Sequence, residues 1–419
     1  PSYQYPSGSI ENESNFFLDE CMKAAKEVGD KYVDQLTFNT GYLQQSADQA
    51  PNPYYDMFGA EDMSVYPEIL MWRDYSRNIL HHDVALNACK SNGSLGLTRQ
   101  YVQNFLMEDG TPVYTHGTYA DGDGYYKGDK DLREIRDNRD GRLQIFLKAP
   151  GDKNQLYNMD DSYGWYLPEE NIPLITSGVY GEGYPTGYAL HKGGNFSRTQ
   201  CGNQTCYTGC MIMRAAESLL NYMEACYERT GTIDATADRY WTAIRTRAHV
   251  DPNYNKTIGL TDMSKEAEND WGAYSAGQLI DPTLYNIRRE RRCELLSEGF
   301  RYNDLRRWRA MDQLITNPAH PEGMHLWNTP MQNWYSDLLY NADNASNVSS
   351  PEKSEYIRPY ERYEGQYGYH GLTWKMGHYL NPISIKQILL SSSDGVTASE
   401  SKIYQNPYWS STGAEPASK

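Results

Sequence analysis

The sequence predicts an all-α fold that carries an extensive loop-rich face and only minor β structure. Three observations predict it. Two amphipathic helical runs follow one another near residues 207–248, a densely charged helical run occupies 283–297, and long aperiodic stretches rich in Tyr, Gly, Asp and Asn lie around them.

The elements follow in chain order. Asn15 to Lys31 reads as an amphipathic helix with Phe17, Cys21, Ala24 or Ala25 and Val28 on one face. A loop rich in Asn, Gln, Pro and Tyr leads to a second apolar segment, YPEILMWRDYS, and Thr98 to Met107 forms a short helix closed by Glu108, Asp109 and Gly110. Residues 111–205 carry few periodic runs; loops that long are functional or disordered, and their Tyr and Trp content argues against disorder. Tyr207 to Arg229 is expected as one long helix, with Met211, Ala215, Leu219, Tyr222 and Cys226 at helical spacing and Gly231 as its C-cap. Asp234 to Ala248 follows, with Ala237, Trp241 and Ile244 facing inward. These two helices form a tetratricopeptide-like pair that cannot bury its own apolar face and therefore needs partner helices. Residues 250–282 read as irregular, Thr283 to Ser297 as a charged helix ending at Gly299, and Asn303 to Leu314 as the next helix. The stretch 316–419 is loop-rich, with Trp327, Trp334 and Trp374, and closes on the short extended YLNPIS. The expected organisation is a single domain, with a helical scaffold over 1–110 and 206–315 and loop-rich binding and contact regions over 111–205 and 316–419.

Composition narrows the function classes. A chain of 419 residues, 39% hydrophobic, can build a sizeable core without disulfides or metals. The balance of 39 Lys and Arg against 55 Asp and Glu gives a net charge of −16, which repels a phosphate backbone and disfavours general nucleic-acid binding. No stretch is apolar for long enough to cross a bilayer. Tyr occurs 37 times and Trp 9 times against 8 Phe, a choice that suits surfaces where an aromatic face packs while a polar edge finds a hydrogen bond. Such rings stack on the C–H face of a sugar; they also pad helix contacts. The 7 cysteines cannot all pair within the chain. Cys201, Cys206 and Cys210 invite a zinc reading, but the spacing is loose and His191 sits at no usual offset. A local disulfide, Cys201 to Cys206, or buried thiols are expected instead.

Helical spacing in the charged run sets Arg288 over Arg292, Glu290 over Glu294, and Glu294 over Glu298. Each Arg then has a carboxylate one turn away, so the ladder is expected to neutralise itself along its own helix, with Arg301, Asp304 and Arg307 extending it into the next. This is read as a structural ion-pair scaffold and not a binding site. The run DGDGYYKGDKD offers Asp121 and Asp123 at the first two oxygen positions of a calcium loop, but Tyr125 and Leu132 break the rest. A solvated acidic turn is expected there, with an irregular calcium site of Asp121, Asp123 and Asp129 as the alternative; no other cofactor is implied. Nucleophile-elbow, zincin, P-loop and dinucleotide fingerprints are all missing from the sequence, which favours binding over catalysis. For ligand capture the best aromatic cluster in a loop is Tyr157, Tyr163, Trp165 and Tyr166, with Asp160 and Asp161 as hydroxyl acceptors. Trp271, Tyr274 and Trp327 form a second group.

The segment IRRERRCELLSEGFRYNDLRRW, Ile287 to Trp308, resembles the C-terminal signature of the SusD/RagB family: a basic ERR run, Glu-Leu, Glu-Gly-aromatic-Arg, then Asp-Leu-x-Arg-Trp. Tyr54–Ser76, LTRQYVQNFLMEDGTPV with Asn138–Gly151, GYALHKGG with MIMRAAESLLNYMEA and Ile244–Ala248, and YLNPISIKQI with Tyr404–Trp409 resemble further family blocks in the family's order. Gly141 departs, since the family more often has Pro there. The resemblance implies a SusD-like fold whose further N-terminal helices and lipidated cysteine would lie upstream of Tyr3. It implies a lipid-anchored protein on the cell surface of a Bacteroidetes outer membrane. Its role would be to capture glycan as the hinged lid of a SusC-like TonB-dependent transporter. The 157–166 cluster lies where such proteins carry glycan contacts. Peptide is the alternative ligand, and a tetratricopeptide-type protein-interaction scaffold the alternative role.

Overall fold

In the computed structural model, which describes residues 4–90, 96–176, 183–411, 413 and 415–419, helix α1 spans Ile10–Tyr32. It starts five residues before the expected Asn15 because Ser9 caps it, accepting the Asn12 N–H at 3.1 Å, with Glu11 and Glu13 in the first turn. Its buried Gly29 sits against Tyr240; a Cβ there would lie 2.4 Å from the phenol oxygen, so only glycine admits this crossing. Short elements follow: α2 (Pro53–Asp56), strand β1 (Ile69–Arg73), α3 (Val84–Lys90), α4 (Arg99–Asn104, capped by Thr98) and α5 (Gly141–Phe146).

The expected helix from Tyr207 divides in two. Cys210–Arg214 is a strand, β2, antiparallel to β1 with Trp72 opposite Met211 and Arg73 opposite Cys210, and only Ala215–Thr230 is helical, as α6. A short apolar run reads alike as strand or helix from periodicity, and here the pairing with β1 decides it. Gly231, at φ +70°, closes α6 in the left-handed conformation. Helix α7 (Ala235–Arg247), capped by Asp234, packs back on α6 as expected, and α1 supplies the partner the pair needs. Residues 250–282 are not irregular. They hold α8 (Tyr254–Leu260), α9 (Met263–Asn269) and a hairpin of β3 (Tyr274–Ser275) and β4 (Gln278–Leu279) turned by Ala276 and Gly277, both at positive φ. Each is too short and too polar to show a period. Helix α10 (Pro282–Glu294) is capped by Asp281, and α11 (Arg301–Arg307) is about half the expected length. Beyond it, among the described residues, only α12 (Ile385–Leu390) and short 3-10 turns interrupt the loops. No helix among the described residues is long and apolar enough to cross a membrane.

Two cores result. One joins Ala25 of α1, Leu219, Met223 and Cys226 of α6, Ala237, Trp241 and Ile244 of α7, and Ile287 of α10. The other lies under the loops around Tyr54, Val102, Phe105, Leu143, Phe146, Tyr188 and Trp327. Between them runs α10, in which every residue from Leu284 to Glu294 is buried despite the charge it carries.

The ladder on α10 is therefore not neutralised along its own helix. Enclosed on all sides, each charged group reaches a partner on another element. Glu294 accepts from Arg142 of α5 at 3.1 Å, from Arg214 of β2 at 2.6 Å, from Arg247 of α7 and from the Tyr54 hydroxyl of α2 at 3.1 Å. Glu290 pairs with Arg142 at 2.7 Å and accepts from the Trp241 indole at 3.2 Å. Glu298 takes Lys192 at 2.6 Å and Arg214 at 2.8 Å. Arg292 and Arg301 share the buried Asp270, and Arg288 donates to the carbonyls of Gly272 and Tyr274. Asp304 bridges Arg291 at 2.8 Å and Arg307 at 2.9 Å, and Arg307 also holds Glu224. Burial alone would push the Glu294 carboxyl up, but the guanidiniums of Arg247, Arg214 and Arg142 outweigh it and hold the group far below the usual carboxylate range.

Glu294→Ala removes the one carboxylate that three buried guanidiniums share, leaving them in excess over their remaining partners, and should cost about 3–5 kcal/mol in urea unfolding. Asp19→Ala, which opens the exposed Asp19–Arg229 pair, should cost under ~1 kcal/mol. Because the folded-state carboxyl is depressed, its stabilisation is complete above the unfolded value of ~4.3 and disappears as pH falls through the folded one. Stability should thus drop steeply below about pH 4, and less steeply in Glu294→Gln. Equal slopes for the two proteins would contradict this.

Candidate ligand-binding site

The segment around residues 153–169 is a loop tied off at its base. Lys153 and Glu169 form an antiparallel bridge, and the Asn154 N–H donates to the Pro168 carbonyl at 2.9 Å. A second segment holds it from beneath. The Leu156 N–H donates to Phe196 at 2.8 Å, the Arg198 N–H to Tyr157 at 3.0 Å, and the Trp165 N–H to Cys201 at 3.2 Å. Gln155 pins both limbs, donating to the Trp165 carbonyl at 2.6 Å and accepting the Leu167 N–H at 3.0 Å. Arg198 donates to the carbonyls of Gly164 and Met159; a Cβ on Gly164 would lie 2.0 Å from the Arg198 carbonyl oxygen, so glycine is required for this approach. Asp161 turns the chain by accepting the Tyr163 N–H at 2.7 Å and lies 3.6 Å from Arg77.

With the backbone so tied, the rings point outward. Tyr163 is 73% exposed, Tyr166 63%, Trp165 45% and Tyr157 38%, whereas the core tyrosines Tyr54, Tyr126 and Tyr188 are fully buried. Arg77 lies 5.9 Å from the Tyr163 ring and 5.5 Å from Tyr207, and Arg198 lies 5.5 Å from Tyr166, distances at which cation–π attraction orients a ring. Asp160 is exposed on the same loop. A cavity of about 200 Å³ opens beside Tyr157, lined also by Gln44, Asp56, Tyr66 and Asn195. The sequence gives no local signal for these partners, or for Arg77, Arg198 and Tyr207, because backbone bridges between distant segments bring them together.

The second aromatic group does not assemble. Trp271 and Tyr274 line another cavity, of about 440 Å³, with Tyr101, Arg292 and Arg301. Trp327 is 2% exposed in the core under the loops and donates its indole N–H to the Ser349 carbonyl at 3.2 Å, so it offers no face to a ligand. The acidic run is likewise dispersed. Asp121 pairs with Lys130 at 2.7 Å on the surface, and Asp123 takes His116 and the N–H groups of Tyr125 and Tyr126. Asp129 is buried against His325 and the Tyr356 hydroxyl. Among the described residues no three His, Cys, Asp or Glu are placed to hold a metal ion. The cysteines do not form the expected disulfide: Cys201 and Cys206 are buried thiols, and Cys210 is exposed on β2. His191 is buried, with its Nδ1 3.2 Å from the Tyr55 hydroxyl.

Comparison with known proteins decides the family, since residues 38–409 match the sequence pattern of the SusD family. The chain belongs to the SusD family. Curated protein sequences give no match. A SusD-like protein from Bacteroides fragilis aligns at 19% identity and TM-score 0.48, over 90% of this chain and 61% of its own. A further solved chain reaches TM-score 0.50 at 16% identity, over 91% of this chain and 63% of its own. Surface glycan-binding protein A from Bacteroides thetaiotaomicron, solved with laminarihexaose, aligns at 17% identity and TM-score 0.36, over 92% of this chain and 62% of its own. The chain thus spans about three fifths of the length of the solved proteins it matches. The mostly helical fold is that of SusD-like proteins.

The contrast between the two aromatic groups is measurable as stability. Trp327→Ala should cost about 3–5 kcal/mol through the cavity it leaves, while Tyr163→Ala should change unfolding by under ~0.5 kcal/mol. Equal losses would mean that the 157–166 rings are packing residues.

Proposed function

We propose that the protein captures oligosaccharide on the loop carrying Tyr157, Tyr163, Trp165 and Tyr166, as a binding protein without catalytic activity. The observation that carries this reading is the exposure of four rings on a loop whose backbone is tied down, in a chain of the SusD family. Rings held ready to stack lose little freedom on binding, and each presents an apolar face with a polar edge. Asp160 and a turn-forming Asp161 add carboxylate acceptors for sugar hydroxyls beside them. Family membership supports the rest of the proposal: a lipid-anchored position on the outer-membrane surface, and delivery of the glycan to a SusC-like TonB-dependent transporter for which the protein acts as lid. The single-domain organisation, with a helical scaffold and loop-rich contact regions, belongs to this proposal.

Calorimetric titration of the wild type and of Trp165→Ala against a panel of gluco-, xylo- and manno-oligosaccharides, with a peptide panel alongside, tests the reading. Truncating an anchoring aromatic costs at least ~2 kcal/mol, so affinity for the preferred glycan should fall about thirtyfold, with the melting temperature unchanged. Binding to peptides alone, or unaltered glycan affinity in the variant, would remove this site.

A further inference from the structure

We propose that the cavity beside Tyr157 is a subsite for an amino sugar, with the ligand's ammonium group placed between the Asp56 carboxylate and the side-chain carbonyl of Gln44. The inference rests on the carbohydrate-binding reading above and names the sugar class.

Two phenols, Tyr66 and Tyr157, supply hydroxyls to the cavity, and its acceptors outweigh them. Asp56 ends α2 half-buried, and its carboxylate makes no hydrogen bond or ion pair with any described residue. Gln44 is 1% exposed, and its amide orientation is fixed: the Nε2 hydrogens donate to the backbone carbonyls of Ser46 at 2.9 Å and Gln49 at 2.8 Å. The same nitrogen lies 2.6 Å from the Tyr157 hydroxyl. The other end of the amide, Oε1, is buried and accepts nothing. Asn195, also in the wall, is already used, donating to the Gly59 carbonyl and accepting the Ser197 N–H, both at 2.8 Å. Among the described residues no Lys, Arg or His lines the cavity. Among the described residues no positive charge meets the carboxylate and the amide oxygen that line this space, and a cationic donor complements both.

The missing partner is a compact cation with several N–H donors. A neutral sugar hydroxyl supplies one donor and leaves the charge uncompensated, whereas an ammonium supplies three and neutralises the carboxylate. The aromatic walls, Tyr66, Tyr157 and Phe196, suit the apolar face of the ring that carries the amine, and Tyr157 joins the cavity to the exposed rings where neighbouring sugars would lie. Burial pushes the Asp56 carboxyl up to about 6, and the titratable groups that sense its charge are Tyr55 and Tyr66, both pushed above the usual phenol range and neutral. Asp56 is therefore ionised at neutral pH and protonates on mild acidification, so affinity for an ammonium ligand falls as pH drops below about 6.

The test titrates glucosamine hexamer, N-acetylglucosamine hexamer and cellohexaose into the wild type, Asp56→Asn and Asp48→Asn. The last removes an exposed carboxylate from the neighbouring turn and controls for general attraction by a protein of net charge −16. At pH 6.8 the wild type should favour the glucosamine hexamer at least tenfold over both others. Asp56→Asn should abolish that preference and keep or raise the melting temperature, since an unpaired charge is removed. Asp48→Asn should keep the preference, and the wild type should lose it at pH 5. Equal affinity for the three hexamers, or loss of preference in Asp48→Asn as well, overturns the inference while leaving binding of glycan on the exposed rings intact. Binding of none of the three also overturns it, and the separate Trp165 titrations on the wider panel then decide the site as a whole.

Discussion

One fully buried carboxylate organises this molecule. Glu294, at the end of α10, receives Arg142 from α5, Arg214 from the end of β2, Arg247 from the last turn of α7 and the hydroxyl of Tyr54 from α2. The closest of these partners in sequence is 47 residues away and the farthest 240. A lone carboxylate in that position would be driven to protonate, and three lone guanidiniums would each be costly to bury; together they satisfy one another. The requirement runs both ways, so elements drawn from both cores must arrive at one point. Arg214 and Arg247 in addition share Glu68 beside β1, and Arg214 also holds Glu298, which extends the same constraint to both strands and to the turn before α11.

The aromatic loop hangs from this point. Arg142 lies on α5, and α5 runs directly into Leu147, which bridges Leu190; the His191 N–H donates to the Phe146 carbonyl at 2.7 Å. Between those two bridge positions the chain makes the long excursion that presents Tyr157 to Tyr166. The segment after the second bridge, 195–201, supplies backbone partners that hold the loop. A rigid ion-paired interior and an exposed aromatic face are in this way parts of one chain path. Function can vary on the loop without touching the charges that fix its base.

How much of this the sequence revealed follows from the range of each interaction. The α6–α7 pair was legible because capping by Asp234 and Gly231 and apolar spacing are local signals. The signature from Ile287 to Trp308 was legible as a pattern. Its partners were not, because a buried helix satisfies its charges across space, and spacing along α10 says nothing of Arg142 or Asp270. Strand β2 was hidden by an apolar run that fits either period, and α8 and α9 by their shortness. Trp327 and Trp165 both stand in loop sequence. Only the tertiary fold separates the ring that plugs the core from the ring that faces solvent, and the same holds for the Asp56 carboxylate and the Gln44 Oε1, which the fold brings to one cavity.

We propose a division of labour within the molecule: an ion-paired scaffold that does not respond to ligand, and a tied aromatic loop that does. Hydrogen–deuterium exchange with and without a saturating bound oligosaccharide measures it most directly. Amides of α6, α7 and α10 should exchange only through global unfolding in both states, and new protection should be confined to 153–169, 195–207 and the Gln44 turn. Protection gained instead around Trp271 and Arg301, or on α10 itself, would contradict the account.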